Sequence, residues 1–117
     1  MQFEQKQTWG ELTRWIIANE QASVIMELHP KKQCWGGTAW IYSLWTNEAA
    51  RLHGYAKEVL ERAENMATNA GHKSVFLEWK LKHTPKAVLE WYERRGYQKR
   101  IWSENEDYCL LEKQLKV

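Results

Sequence analysis

The chain has 117 residues, enough for one domain and too few for two ordinary ones. Apolar residues make up 44% and charged residues 27%, the balance of a globular domain rather than a disordered chain. Mean hydropathy is −0.72, and no apolar run approaches the roughly 18 residues a membrane helix needs. The opening MQFEQKQ lacks the apolar stretch of a secretory leader. Two cysteines, Cys34 and Cys109, are too few for a disulfide framework or a metal cluster. The expectation is a reduced cytoplasmic protein, one domain over residues 1–117, with no metal.

Seventeen Lys and Arg against fifteen Asp and Glu give a net charge of +2, and the charges are interspersed. The one basic cluster, Arg94, Arg95, Lys99 and Arg100, reads as a solvated face around a turn. A nucleic-acid surface usually comes with a pI above about 9, and the pI here is 8.5. Eight tryptophans are far above normal usage. Rings at that density fill a core or line a pocket.

Trp15–Ala18 and Val24–Leu28 are short apolar runs separated by Asn19-Glu20-Gln21, the pattern of a hairpin. A helix also fits this region. Thr8 and Glu11 have capping-box spacing, and Trp9, Leu12, Trp15 and Ile16 could share one helical face. Pro30 marks a turn, and Gly36-Gly37 leads into an aromatic and β-branched strand, Thr38–Thr46. From Gly54 to Ala70 the apolar residues recur at three- and four-residue steps, with Gly71 as the stop, which predicts a helix. Ser74–Trp79 is a strand. Thr84 as N-cap and Pro85 at the first helical position open a second helix that Gly96 ends. Tyr97–Trp102 and Asp107–Leu111 are strands around a Ser103–Glu106 turn. Strand, helix, strand about Gly54–Ala70 makes a βαβ unit, so strands near 44 and 77 are parallel neighbours. The class is α+β with a mixed central sheet, an antiparallel meander and a C-terminal hairpin.

The segment RLHGYA, Arg51 to Ala56, lies between a strand and the first turn of the long helix. Free N–H groups and the helix dipole make such a terminus an anion site. Gly54 and Ala56 let the backbone approach a phosphate, and Arg51 and Lys57 add positive charge. This is the [Arg/Gln]-x-x-Gly-x-[Gly/Ala] pattern. With it the chain resembles the GNAT superfamily of N-acetyltransferases, which bind acetyl-CoA through such a loop. LWTNEAARLHGYAKEVLERAENMATNAG resembles the family's strand, pyrophosphate loop and helix. VLEWYERRGY resembles its Tyr-Glu-Lys-x-Gly-Phe signature. WIIANEQASVIMEL resembles its second and third strands, which favours the hairpin.

The resemblance implies roles. Backbone N–H groups from His53 through Gly54, Tyr55 and Ala56 to Lys57 would hold the pyrophosphate of acetyl-CoA, with Arg51 at the start of the loop. The backbone of Leu44 and Thr46 would hold the pantetheine arm and polarise the thioester carbonyl, an oxyanion-hole arrangement. The strands at 44 and 77 would splay to admit it. Tyr92 takes the position of the tyrosine that protonates the departing thiolate; read without the resemblance, it is a core residue on an amphipathic helix.

Three departures stand out. Pro85 replaces a frequent Asn. Trp40 occupies the usual position of a glutamate base. Only about a dozen residues precede the hairpin, so the N-terminal helices that build much of the family's acceptor site are expected to be missing or minimal. Glu78 is therefore the first candidate base, followed by Glu27 and His83. Trp40, Trp45 and Trp79 are candidates for the acceptor site, with Trp40, Tyr42 and Leu44 expected on one strand face. A wide acceptor opening calls for cover, so a homodimer is expected. Cys34 and Cys109 lie outside both signatures, which argues against a covalent enzyme intermediate. The function implied is acetyl transfer to an amine, on a small molecule or a protein, by direct attack in a ternary complex. The alternative is a non-catalytic module of the same fold that binds CoA or a protein.

Overall fold

The computed structural model describes residues 3–33, 36–47, 53–83 and 85–116. Seven strands form one sheet: β1 Phe3–Trp9, β2 Leu12–Ala18, β3 Ala22–Leu28, β4 Ala39–Thr46, β5 Ser74–Trp79, β6 Gln98–Ser103 and β7 Tyr108–Gln114. Their order across the sheet is β1-β2-β3-β4-β5-β7-β6. Two helices join it, α1 Tyr55–Asn69 and α2 Lys86–Arg94, with a 3-10 turn over Leu81–His83. The class is the expected α+β mixed sheet. No helix among the described residues is long and apolar enough to cross a membrane.

The first three strands are a meander with continuous antiparallel register, Trp9 opposite Leu12 and Thr13 opposite Leu28. The helical alternative for residues 8–16 is overturned, because Thr8 lies in β1 and Gly10-Glu11 forms the turn into β2. Alternation wins there: Trp15 and Ile17 face α1 while Arg14 and Ile16 face away, a two-residue period that a helix cannot use. The Gly54–Ala70 helix stands as expected. Val59, Leu60, Ala63 and Ala67 bury one stripe against Val24, Met26, Ile41, Val75 and Leu77 of the sheet.

The start of α2 departs from expectation by one residue. Pro85 is the cap rather than the first helical residue, with extended ψ of 142°, and Thr84 lies outside the described residues. The C-terminal strands also sit later than their periodicity suggested, because the turn occupies Glu104–Asp107.

Both helices pack on the same face. The β4-α1-β5 and β5-α2-β6 crossovers advance across the sheet in one direction, and right-handed connections then put both helices on one side. Leu89 and Tyr92 of α2 join the same core as the α1 stripe. The other face holds a smaller cluster of Trp40, Phe76 and Leu110, with Tyr42, Ile101 and Tyr108 around it. The Gly36-Gly37 segment comes down onto this cluster. A Cβ at Gly36 would stand 2.5 Å from the Trp40 ring, and one at Gly37 2.5 Å from Phe76. Only a residue without a side chain fits that approach.

Candidate functional site

β4 controls the geometry of the site. Its partner β3 pairs Ser23 with Trp45 but Ile25 with Tyr42, so Val24 stands opposite two residues, Ser43 and Leu44. This is a β-bulge. Ser43 takes a φ of 51° to make it, a conformation that a residue with a Cβ adopts at a cost of about 1–2 kcal/mol. The extra residue reverses the alternation. Ile41 belongs to the helix-side core and Tyr42 to the opposite cluster, yet Leu44 packs on the helix side. The expectation that Trp40, Tyr42 and Leu44 share one face is therefore corrected, since Leu44 lies on the other side.

β4 and β5 are parallel, and among the described residues their one paired position is Trp40 with Phe76. Beyond it the strands part. The C-terminal half of β4 keeps β3 as its partner through Trp45 and Thr46, and its other backbone edge faces the gap toward β5. Buried backbone groups without a ladder partner need another donor or acceptor. In chain order the end of β4 leads on to α1, whose first turn starts at Tyr55.

There Gly54 caps the helix at a φ of 84°, with no side-chain cap. The first helical bond runs from Glu58 N–H to the Gly54 carbonyl at 3.0 Å, so the N–H groups of Tyr55, Ala56 and Lys57 precede the helical ladder. A Cβ on Gly54 would meet nothing within 4 Å: the approach is open. His53, Gly54 and Lys57 are exposed, whereas Tyr55 and Ala56 are half-buried. Lys57 Nζ lies 3.7 Å from Glu61, a surface pair that leaves its charge near the terminus. Arg51 lies outside the described residues.

Tyr92 is 6% exposed and makes edge-to-face contacts with Trp91 and Tyr97 at 5.1 and 5.5 Å. Burial pushes its phenol well above the ordinary tyrosine value, so it keeps its proton throughout the neutral range. Glu78 lies on the opposite face, beside Phe76 and Leu110 in the sheet register. It is exposed, and Tyr108 donates a hydrogen bond from its hydroxyl to Glu78 Oε2 at 2.6 Å. In the parallel register, Tyr42 and Glu78 each stand two residues beyond the Trp40–Phe76 pair. They flank the start of the gap on the helix-free side.

The other base candidates are less open. Glu27 accepts from Arg14 Nε at 2.9 Å and lies 3.2 Å from His29 Nε2, so both its oxygens are engaged. The side chains of His83 and Trp79 lie outside the described residues. Trp40 is 2% exposed; it packs on Phe76 and Tyr42 and donates from Nε1 to the Gly37 carbonyl at 3.0 Å. It is a core residue beneath the Gly36-Gly37 segment, neither the wall of an open site nor packed under α1. Trp45 is 58% exposed. Within the basic cluster, Arg95 stacks on Trp91, Lys99 lies over Trp102 and Arg100 pairs with Glu112. Those contacts suit a solvated face.

Sequence reasoning missed Tyr108, because nothing in one chain's spacing pairs it with Glu78. It also missed the Ser43 bulge, for which a glycine would have been the signal.

A sheet whose central parallel strands part beside an uncapped helix N-terminus is an architecture for admitting an extended, anionic ligand. The sequence profile of the acetyltransferase (GNAT) family matches residues 4–97, and the chain belongs to that family. Among solved structures it is similar to an acetyltransferase from Bacillus cereus ATCC 14579, at 22% identity and a TM-score of 0.65, over 90% of this chain and 74% of that one. An acetyltransferase of the GNAT family from Staphylococcus aureus Mu50 matches at 10% identity and a TM-score of 0.66, over 91% of this chain and 69% of that one. A chain of the NatC complex bound to Gag peptide and CoA matches at 19% identity and a TM-score of 0.66, over 88% and 71% respectively. At these identities the likeness is one of fold. No curated protein matches the chain.

The geometry at residue 54 sets an expectation for stability. Gly54→Asn should unfold close to the wild-type denaturant midpoint, since Asn tolerates the left-handed conformation. Gly54→Val should lose about 1–3 kcal/mol, because a β-branched residue does not. Urea titration of both variants measures the difference.

Proposed function

We propose that the protein transfers the acetyl group of acetyl-CoA to an amine by direct attack in a ternary complex. The observation that carries this reading is the parting of β4 and β5 beside the open N-terminus of α1. In it, the amides of residues 53–57 receive the pyrophosphate, where N–H groups and helix dipole favour negative charge. The backbone edge of Leu44 and Thr46 receives the pantetheine arm and donates to the carbonyl oxygen as it gains charge. The acceptor amine comes from the helix-free face. Its attack forms the amide C–N bond and breaks the C–S bond. The amine loses a proton to Glu78, directly or through water, and the departing thiolate takes one from Tyr92.

A second reading, binding without turnover, has one observation in its favour: Trp40 is sealed in the core at the position where a base is usual. Thiol release separates the two. The first reading expects CoA release from acetyl-CoA that depends on an amine, surveyed across small amines and peptides. It also expects Gly54→Asn to abolish CoA binding in calorimetry. Tight CoA binding with no amine-dependent release leaves the binding module.

The two side chains have separable signatures. Tyr92→Phe should lower kcat by about 10²–10⁴-fold with little change in the KM for acetyl-CoA, the range of a general acid. Glu78→Gln should lower kcat/KM and leave the Kd for CoA unchanged, because it removes a proton acceptor and no cosubstrate contact. A wild-type kcat/KM in Glu78→Gln returns that residue to the surface.

The oligomer proposed is a homodimer. Trp45, Phe3 and Trp9 are each more than half exposed, and β1 ends the sheet as an edge strand. Phe3 and Trp9 stand at the two ends of that strand, and exposed aromatic groups on an unpaired edge invite a second copy. Light scattering at high micromolar concentration should give twice the chain mass; a single-chain mass removes the dimer.

A further inference from the structure

The turn between β2 and β3 reaches the first turn of α1 through one side chain. Asn19 Oδ1 accepts hydrogen bonds from the backbone N–H groups of Gln21 at 3.0 Å and Ala22 at 2.8 Å. This closes the turn on itself, the local role in which Asn excels. Asn19 Nδ2 points the other way. It donates to the Tyr55 carbonyl and to Glu58 Oε1, both at 3.1 Å. The backbone adds a third link, from Asn47 N–H to the Gln21 carbonyl at 2.7 Å. The end of β4, the β2–β3 turn and the start of α1 are thereby joined in one hydrogen-bonded unit.

We infer that Asn19 is a positioning residue: it fixes the first turn of α1, and with it the amides of Tyr55, Ala56 and Lys57, in the orientation that receives the phosphates of the cosubstrate. The inference rests on the cofactor reading above. Amides at a helix start bind an anion tightly only when they are already aligned, since ordering them on binding subtracts from affinity. Gly54 supplies no such order, being the residue with the most backbone freedom and carrying no side-chain cap. A tether from outside the helix does. The same amide addresses a second difficulty. Glu58 is the acid of the first turn, and a carboxylate there opposes an incoming anion and competes for the free N–H groups. Asn19 engages one of its oxygens and turns it toward the β2–β3 side.

Asn19→Asp tests this, because the two ends of the amide are separable. Aspartate keeps the oxygen that closes the turn and loses the donor to α1, placing a negative charge against Glu58. Hydrogen–deuterium exchange of the Glu58 amide, which makes the first helical bond, and of the Val59 amide after it should speed up by about tenfold, the scale of one or two lost hydrogen bonds. The Kd for CoA should rise by a similar factor, while kcat and the melting temperature stay near wild type. The double variant Asn19→Asp/Glu58→Gln reverses donor and acceptor in the contact at position 58 at unchanged net charge, while the bond to the Tyr55 carbonyl stays lost because two acceptors face each other there, so it should recover only part of the lost CoA affinity. Unchanged exchange in Asn19→Asp overturns the proposal. So does an unchanged CoA Kd. If the wild-type protein does not bind CoA, the cofactor reading fails instead, and the exchange data still decide whether Asn19 orders the helix start.

Discussion

The bulge at Ser43 is the constraint on which the rest of the structure depends. One extra residue in β4 interrupts its ladder with β3, the kind of break that kinks and twists a strand, and exchanges the faces of the residues that follow it. Before it, Trp40 and Tyr42 belong to the helix-free face and Ile41 to the helix side; after it, Leu44 and Thr46 point toward the helices and Trp45 points out. A straight strand would continue its pairing with β5 and close the gap. The unfavourable φ of Ser43 persists because the flanking positions are over-determined. Ala22 opposite Thr46 and Ile25 opposite Tyr42 anchor the strand on either side.

The second consequence concerns cover. With both crossovers running one way, the helices bury the Val24, Met26, Ile41, Val75 and Leu77 side and leave the reverse side to the chain's own segments. The Gly36-Gly37 approach seals Trp40 and Phe76. Part of the tryptophan excess lies outside the main core: Trp9 and Trp102 are exposed, while Trp15 and Trp91 pack at its edge. Arg14 lies over Trp9, Lys6 over Trp15, Arg95 over Trp91 and Lys99 over Trp102. Each ring is apolar cover with a cation on its face, worth about 0.5–1 kcal/mol at an exposed site. A sheet with helices on one side can in this way keep large rings at its surface.

Legibility in the sequence followed the strength of the local signal. α1 was readable because fifteen residues repeat one apolar stripe between two glycines. The β2–β3 hairpin was readable once the family resemblance outweighed the capping-box spacing of Thr8 and Glu11, whereas β1 over Phe3–Trp9 was not. The βαβ unit followed from order alone. The bulge was not readable, since serine carries no mark of a positive φ and tertiary pairing imposes it. That single miss misplaced Leu44 and made Trp40 look like a wall. Asn19 was recognisable as a turn residue, but its Nδ2 contacts span 36 and 39 residues, a separation at which one sequence is silent. The same holds for Tyr108 and Glu78, 30 residues apart.

Under the proposed reaction, the placement of Glu78 and Tyr92 on opposite faces of the sheet has a chemical meaning. In that reading the parted strands act as a slot, and a thioester held in it would be approached from two sides. The amine arrives from the helix-free side and must lose its proton there, where Glu78 is exposed and held by Tyr108. The sulfur leaves toward the helix side, where Tyr92 sits among rings that exclude water and keep its phenol protonated. Two proton transfers that would short-circuit each other in one pocket are thus kept apart by the sheet. A covalent route through Cys109 has no comparable support. Cys109 is fully buried, and burial pushes its thiol up to about 11, leaving little thiolate at neutral pH. Direct attack needs only the slot, a base on one side and an acid on the other.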